Sequence, residues 1–409
     1  MDNLQQRMDV QIAKETVRAE AEETVRKMVD AMMVIELDRL RAIDREPAPR
    51  PSKKDKKKKE KKGATKRGKK DPFGGRTVEE LYSELVIAGI VSKPLQVTLD
   101  DLIGAPNYTD TRRNVYRLAT PHDLKMALRE MFGIPLCSRL IHSTVEQRKS
   151  VLLAGPPGVG KTLMVNGLCK ETGANLFDLS PVKMVGLYQG RKQEDYLMNL
   201  LFKVAKAMEP TIILVNECHL LFPTKKAKKR SDVDKDKPSR WVRMLSRLMK
   251  MIVQGDRILL VGVTNEPFFA KTTAMCKLFE NVFLVPFPEY GTRYALWQHH
   301  IKNLKLTRPH NMDLSIMAKM SEGYTGHDIE KIIANVCTPA RQGLKRRLRN
   351  AEMLQGLTDK YPDDEAPSLA DWITWYLTTP MMVARKQLID GILEEEEAAA
   401  AAAKPAKRK

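Results

Sequence analysis

Cysteine is scarce and unpatterned in this chain. The five cysteines stand at 137, 169, 218, 276 and 337, an odd count with no Cys-x-x-Cys pair. That excludes a readable zinc site or disulfide framework and fits reduced thiols inside a cell. Long apolar runs are missing too: no stretch approaches the roughly 20 residues that cross a membrane as a helix. The N-terminus is charged from Asp2 onward, which excludes a secretory signal peptide. A protein of the cytosol, or of something attached within it, is expected.

Positive charge, by contrast, is plentiful. Lysine and arginine number 70 against 51 aspartates and glutamates, a formal net charge of +19. Such a balance points to an acidic partner: nucleic acid, an anionic membrane or an acidic protein surface. The length, 409 residues, and a 43% hydrophobic share allow two or three folded units with real cores.

The charge is unevenly placed. Residues 47–72 open with Pro47, Pro49 and Pro51 and continue through a lysine-rich tract from Lys53 to Lys70. A run of like charge repels itself, so this segment reads as a linker. It suits gripping an acidic surface such as a microtubule exterior; a solubilising or nuclear-localising tract would look the same. Its lysines do not lie on a folded face with interleaved aromatics, so DNA or RNA binding is not expected. Residues 1–46 before it read as one helix, with Leu4, Met8, Ile12, Val25, Met28, Val29, Met32, Ile35 and Leu40 at helical spacing. With a linker rather than a folded body next to it, that stripe is expected to dock on a partner; packing on the chain's own core is the alternative.

From residue 73 the pattern turns globular. An adaptor segment covers 73–112, in which Thr77-Val-Glu-Glu80 is a capping box that opens a helix over Val78–Ile87. A further helix is expected over 121–132, broken at Ile134-Pro135-Leu136. Strand candidates follow at Ser150–Ala154, Leu176–Leu179, Thr211–Val215, Ile258–Val263 and Val282–Val285, with helices between them. Alternating strands and helices imply a doubly wound parallel α/β sheet, here over 113–285. Residues 286–345 carry only helical patterns and read as a small helical lid; 346–409 read as a tail that ends in low-complexity Glu and Ala runs. A polar, charged loop interrupts the module at 223–240.

The chemistry sits in the α/β part. Gly155-Pro-Pro-Gly-Val-Gly160-Lys161-Thr162 matches the P-loop pattern, after an apolar strand and before a helix. Glycines let the backbone curl so that its N–H groups converge on phosphate, at a helix N-terminus. The nucleotide-binding stretch is therefore placed at Pro157, Gly158, Val159, Gly160, Lys161, Thr162 and Leu163. Lys161 reaches the β and γ phosphates, and the Thr162 hydroxyl faces Mg²⁺. Strand Thr211–Val215 ends in Asn216-Glu217, where P-loop ATPases carry Asp-Glu to hold Mg²⁺ and polarise water. Glu217 is the candidate for the attacking water, and Asn216 is a weaker metal ligand than a carboxylate. Asn265, after the next strand, is placed to bond the γ-phosphate or the water.

Together these residues resemble a known family. Gly155–Thr162, Asn216-Glu217, Thr264-Asn265 and Gly323-Tyr-Thr-Gly326-His327-Asp-Ile329 look like the Walker A, Walker B, sensor 1 and sensor 2 regions of AAA ATPases. The likeness covers about 113–345 and implies that Gly326 and His327 join the nucleotide site. In the FtsH, katanin and spastin branch the last region reads Gly-Tyr-Ser-Gly-Ala-Asp-Ile, so Gly326 without an arginine is normal there. A narrower resemblance lies in Glu171–Phe177, Val285–Tyr290 with Leu296-Trp297, Asp371-Trp372 through Thr379-Pro380, and the lysine tract followed by Arg76–Leu81. These look like the IQ-and-AAA-domain proteins of the nexin–dynein regulatory complex, matched over their C-terminal half and without a legible IQ pattern. That family implies a structural subunit on axonemal doublet microtubules of cilia and flagella, with ATP or ADP and Mg²⁺ as ligands and other subunits of the complex as partners.

Two features depart from an active motor. Between Phe268 and Asn281 there is no arginine, only Lys271 and Lys277 as cations. AAA rings place there the arginine that reads a neighbour's γ-phosphate, and a lysine lacks its fork geometry. The region of the central-pore loop, Gly186-Leu-Tyr188-Gln-Gly190, keeps an aromatic without the usual aromatic–apolar–Gly order. The expectation is a nucleotide-binding scaffold with weak or absent hydrolysis, not a homo-hexamer and not membrane-bound. The competing readings are an active ring-forming AAA ATPase that remodels or severs a protein polymer and, on charge alone, a nucleic-acid-associated ATPase.

Overall fold

A computed structural model of the chain describes residues 18, 21–22, 25–34, 73, 75–106, 118–188, 190–224, 239–303, 313–338, 350–358 and 368–402. The chain divides into two compact units, Met1–Lys70 and Asp71–Lys409. In the first, residues 25–34 are helical, and Val25, Met28, Val29 and Met32 stand exposed along one stripe. Most of the expected 1–46 helix, the linker at 47–72 and most of the 223–240 loop lie outside the described residues.

The second unit is an α/β module. Helix α1 (Val78–Ile87) is capped by Thr77, whose side chain accepts from the Glu80 N–H. A short strand β1 (Val91–Ser92) follows, then helix α2 (Pro121–Leu128). Next come β2 (Ser150–Ala154), α3 (Lys161–Thr172), β3 (Asn175–Asp178), α4 (Arg191–Ala207), β4 (Thr211–Val215), α5 (Ser239–Met251), β5 (Ile258–Thr264) and β6 (Asn281–Leu284). The six strands lie in the order β1-β3-β4-β5-β2-β6. All pairings are parallel except β1 with β3.

The strands β2, β4 and β5 are buried along their whole length, as continuous aliphatic runs in a sheet covered on both faces should be. Alternate residues feed two cores. Leu152, Ala154, Ile213, Val215 and Leu260 enter one, while Val151, Leu153, Ile212, Leu214 and Val261 enter the other. The expected doubly wound sheet is thus present, with strand ends shifted by a residue in β3 and β6 and β5 one residue longer, to Thr264. The sequence reading missed β1, whose two residues are too few for a periodic signal.

One expectation fails. The helix after residue 121 is not broken at Ile134-Pro135-Leu136. It widens into a π turn over Arg129–Gly133 and runs on as Ile134–Cys137. The Ile134 N–H reaches back to the Arg129 carbonyl, so Pro135 falls in the first turn of the next segment. There a missing N–H and a fixed φ are harmless.

After β6 the chain builds a third core. Helices α6 (Tyr290–Asn303), α7 (Gly326–Val336) and α8 (Asn350–Thr358), with the short helix Leu314–Met320, bury Trp297, Met317, Ile329, Ile333, Met353 and Leu357 together. The Trp297 indole donates to Ser321 Oγ at 3.1 Å, and the Tyr324 hydroxyl to the Leu357 carbonyl at 2.7 Å. Helix α9 (Leu369–Leu377) then returns to the first core through Trp372 and Trp375, and α10 (Pro380–Ala402) follows.

Candidate functional site

The P-loop leaves the carboxyl end of β2, between β5 and β6, where open parallel sheets form their binding crevice. The Gly155 N–H donates to the Thr264 carbonyl at 3.3 Å and the Val285 N–H to the Ala154 carbonyl at 2.7 Å, so both neighbours brace the loop. Gly158 and Gly160 have φ of +83° and +95°, a region that side chains rarely adopt. A Cβ on Gly158 would sit 2.6 Å from Thr325 Oγ1, and one on Gly160 would sit 2.9 Å from Leu102 Cδ1. The glycines therefore allow a tight backbone cradle and a close approach of the residues that open α7. The Gly158 carbonyl also accepts from the His327 N–H at 3.2 Å, at the start of α7.

A cavity of about 720 Å³ opens over this loop. Pro157, Gly158, Val159, Gly160, Lys161, Thr162 and Leu163 line it, as do Asn265, Gly326 and His327. These sequence-identified residues are thus brought to one place. Asn216 and Glu217 are not among its lining residues. Asn216 is half-buried, and its N–H donates to Ser180 Oγ at 3.1 Å. Glu217 is exposed and holds φ of +49°, uncommon for a non-glycine.

Lys161 is buried, and its ammonium donates to the carbonyls of Gly155 (2.8 Å) and Pro156 (2.6 Å). Burial pulls its pKa down to about 7. A charge so disfavoured by desolvation is ready to gain from an anion. Behind the site, His219 Nδ1 and Thr264 Oγ1 lie 3.2 Å apart, joining the segment after β4 to the end of β5. Burial holds His219 below the ordinary histidine value, against the opposing pull of Glu266 and Glu217.

The opposite wall of the cavity escaped the sequence reading. Leu102 and Ile103 line it from the turn after Leu99–Asp101, Pro121 from the start of α2, and Leu296 and His300 from α6. No spacing marks these residues; a network of side chains places them. Arg129 bonds Glu171 Oε2 at 2.9 Å and Asp100 at 2.9 Å, and Glu171 also accepts the Leu99 N–H at 3.2 Å. That pins the turn Leu99–Asp101 to α3, directly before Leu102.

The pore-loop region is tied down. Tyr188 has φ of +47° and packs half-buried against the first core, while Arg240 donates to the Leu187 carbonyl at 3.1 Å. Among the described residues no three His, Cys, Asp or Glu gather to hold a metal, and no helix is long and apolar enough to cross a membrane.

Comparison with known proteins agrees with this geometry. Residues 151–287 match the family described as ATPase family associated with various cellular activities (AAA). The crystal structure of the FIGL-1 AAA domain shares the fold, with a TM-score of 0.55 at 20% identity over 74% of this chain and 96% of that one. Its complex with ADP gives 0.51 at 20% identity, over 73% and 96%. The chain therefore carries an AAA module over residues 151–287. More narrowly, it is similar to dynein regulatory complex protein 11 of Mus musculus, 32% identical over 413 residues and 93% of this chain. Spastin of Rattus norvegicus is 26% identical over 289 residues, 69% of this chain. The chain spans about half the length of these curated relatives, 47% and 45% respectively.

Proposed function

We propose that this chain is a structural, nucleotide-binding AAA subunit of the nexin–dynein regulatory complex on axonemal doublet microtubules. It supports regulation of ciliary and flagellar motility and hydrolyses ATP weakly or not at all. The similarity to dynein regulatory complex protein 11 over 93% of the chain supports the placement. The lysine tract between Lys53 and Lys70 suits the doublet surface, and other subunits of the complex are the remaining partners.

The cradle fits ATP or ADP. The P-loop amides and Lys161 would hold phosphate oxygens, and the start of α7 would tie the lid to the same ligand. A Mg²⁺ would take its oxygens from the phosphates and Thr162; Asn216, the other metal candidate, does not line the cavity, and no carboxylate replaces it there. Nucleotide here supplies anionic charge that neutralises Lys161 and joins core to lid.

The observation that carries the weak-hydrolysis part is the placement of Glu217. It is exposed and does not line the cavity that Asn265 lines. A group that activates water must come within hydrogen-bond reach of it. The competing reading, a ring-forming ATPase that remodels a polymer, draws on the similarity to spastin. The arginine-free stretch from Phe268 to Asn281 disfavours it.

A tagged chain expressed in ciliated cells tests the assignment. It should stay with doublets after detergent extraction and co-purify with dynein regulatory complex subunits. A chain found wholly in the detergent-soluble fraction contradicts the proposal.

A further inference from the structure

Away from the nucleotide cavity, a second cavity of about 460 Å³ opens between α5 and the short helix Thr272–Leu278. Its apolar floor is made by Phe222, Val242, Ala274 and Leu278. Its rim carries three exposed cations, Arg243, Lys271 and Lys277, and among the described residues no carboxylate lines it. Among the described residues none of these cations forms an ion pair. Elsewhere on the same helix α5, Arg247 does pair, with Asp195. The walls are firm. The Thr224 N–H donates to the Phe269 carbonyl at 3.1 Å, and the Lys271 N–H to the Phe222 carbonyl at 2.9 Å.

We infer that this groove docks an acidic segment of a partner protein in which carboxylates alternate with apolar side chains. The floor would take the apolar side chains and the three cations the carboxylates. Charge decides between occupants. The sequence joining Thr224 to Ser239 carries six lysines and one arginine against three aspartates, a net charge of the rim's own sign, so a separate acidic segment is the better match. A second copy of a chain with net charge +19 is a poor match for the same reason. The inference is independent of nucleotide turnover, since no residue of the groove lines the nucleotide cavity.

The test uses the full chain and two fluorescent ten-residue peptides, one alternating glutamate with leucine and one alternating glutamate with serine. Anisotropy should show the leucine peptide binding more tightly, and more weakly as salt rises. The double variant Lys271→Glu, Lys277→Glu should weaken it about tenfold or more. Ala274→Phe, which fills the floor without changing charge, should do the same. Thermal unfolding and nucleotide binding report whether each variant is folded; the charge reversals are on exposed positions and keep the test open if Ala274→Phe unfolds. The lysine tract also attracts acid, so a chain with Lys53–Lys70 lysines changed to glutamine should keep the leucine preference. Equal binding of both peptides overturns the inference. So does undiminished binding by the charge-reversed groove, or loss of all binding with the tract. A self-assembled oligomer that Ala274→Phe dissociates would make a second copy the occupant and also overturn it.

Discussion

The rings of Phe268 and Trp372 meet edge to face with centroids 4.9 Å apart. This contact fastens α9, far along the chain, to the segment that directly follows β5 and Asn265. Trp372 is 1% exposed. Trp372→Ala should therefore cost about 3–5 kcal/mol of stability, the usual range for a buried aromatic lost to a cavity. Chemical denaturation measures it. A loss below about 1 kcal/mol would mean that α9 is not part of the module's core.

The P-loop cradle has no room for a side chain at residue 158. Gly158→Ala places a Cβ against Thr325 and strains a left-handed backbone. Nucleotide affinity should fall by about tenfold or more, with lid and P-loop forced apart. Calorimetric titration with ADP checks this. An unchanged Kd would show that the lid does not close on residue 158.

Lys161 makes nucleotide binding depend on pH. Without an anion its pKa is lowered by burial to about 7, against 10.5 in an unfolded chain. The sign follows from proton counts. Between those values the unfolded chain binds the extra proton, so ligand-free stability is reduced below about 7 and rises as pH climbs toward 10. An anion restores the charged form, so binding takes up a proton. Affinity for ADP should fall as pH rises from about 7.5 to 9, by at most about tenfold per unit. Titrations in buffers of different ionisation enthalpy would detect the uptake, and Lys161→Arg, always charged, should abolish it. A flat profile in the parent chain would contradict the argument.

His219 and Thr264 supply a second test. Thr264 is fully buried, and Thr264→Val would leave the imidazole nitrogen unpaired at a cost of about 1–3 kcal/mol. Thr264→Ser should keep most of that. Because burial lowers the His219 pKa below 6.5, the unfolded chain takes the proton first in acid. Stability should fall as pH drops below about 6.5, and less so in His219→Gln. Urea unfolding at a series of pH values reads both effects.

Much of the fold was legible because its signals are local. The aliphatic runs of β2, β4 and β5 announce buried parallel strands, and the P-loop between β2 and α3 announces its own geometry. Thr77 marks a helix start in the sequence, and its side chain caps α1 by accepting from the Glu80 N–H, without the reciprocal bond that would complete a capping box. What escaped depends on distant contacts. Leu102 and Ile103 reach the cavity only because Arg129, Asp100 and Glu171 draw the adaptor onto α3. Pro135 read as a breaker because sequence shows the missing N–H, not the π turn that moves it into a first turn. Asn216 and Glu217 follow a strand in the expected order, yet order alone does not bring a side chain to the cavity.

The most direct measurement is turnover, together with the nucleotide that stays bound after gentle purification. The expected result is a chain that retains ATP or ADP and hydrolyses ATP far below about 1 s⁻¹, with Glu217→Gln making little difference. Steady hydrolysis at about 1 s⁻¹ or faster, abolished by Glu217→Gln, would contradict a scaffold and make this chain a working ATPase.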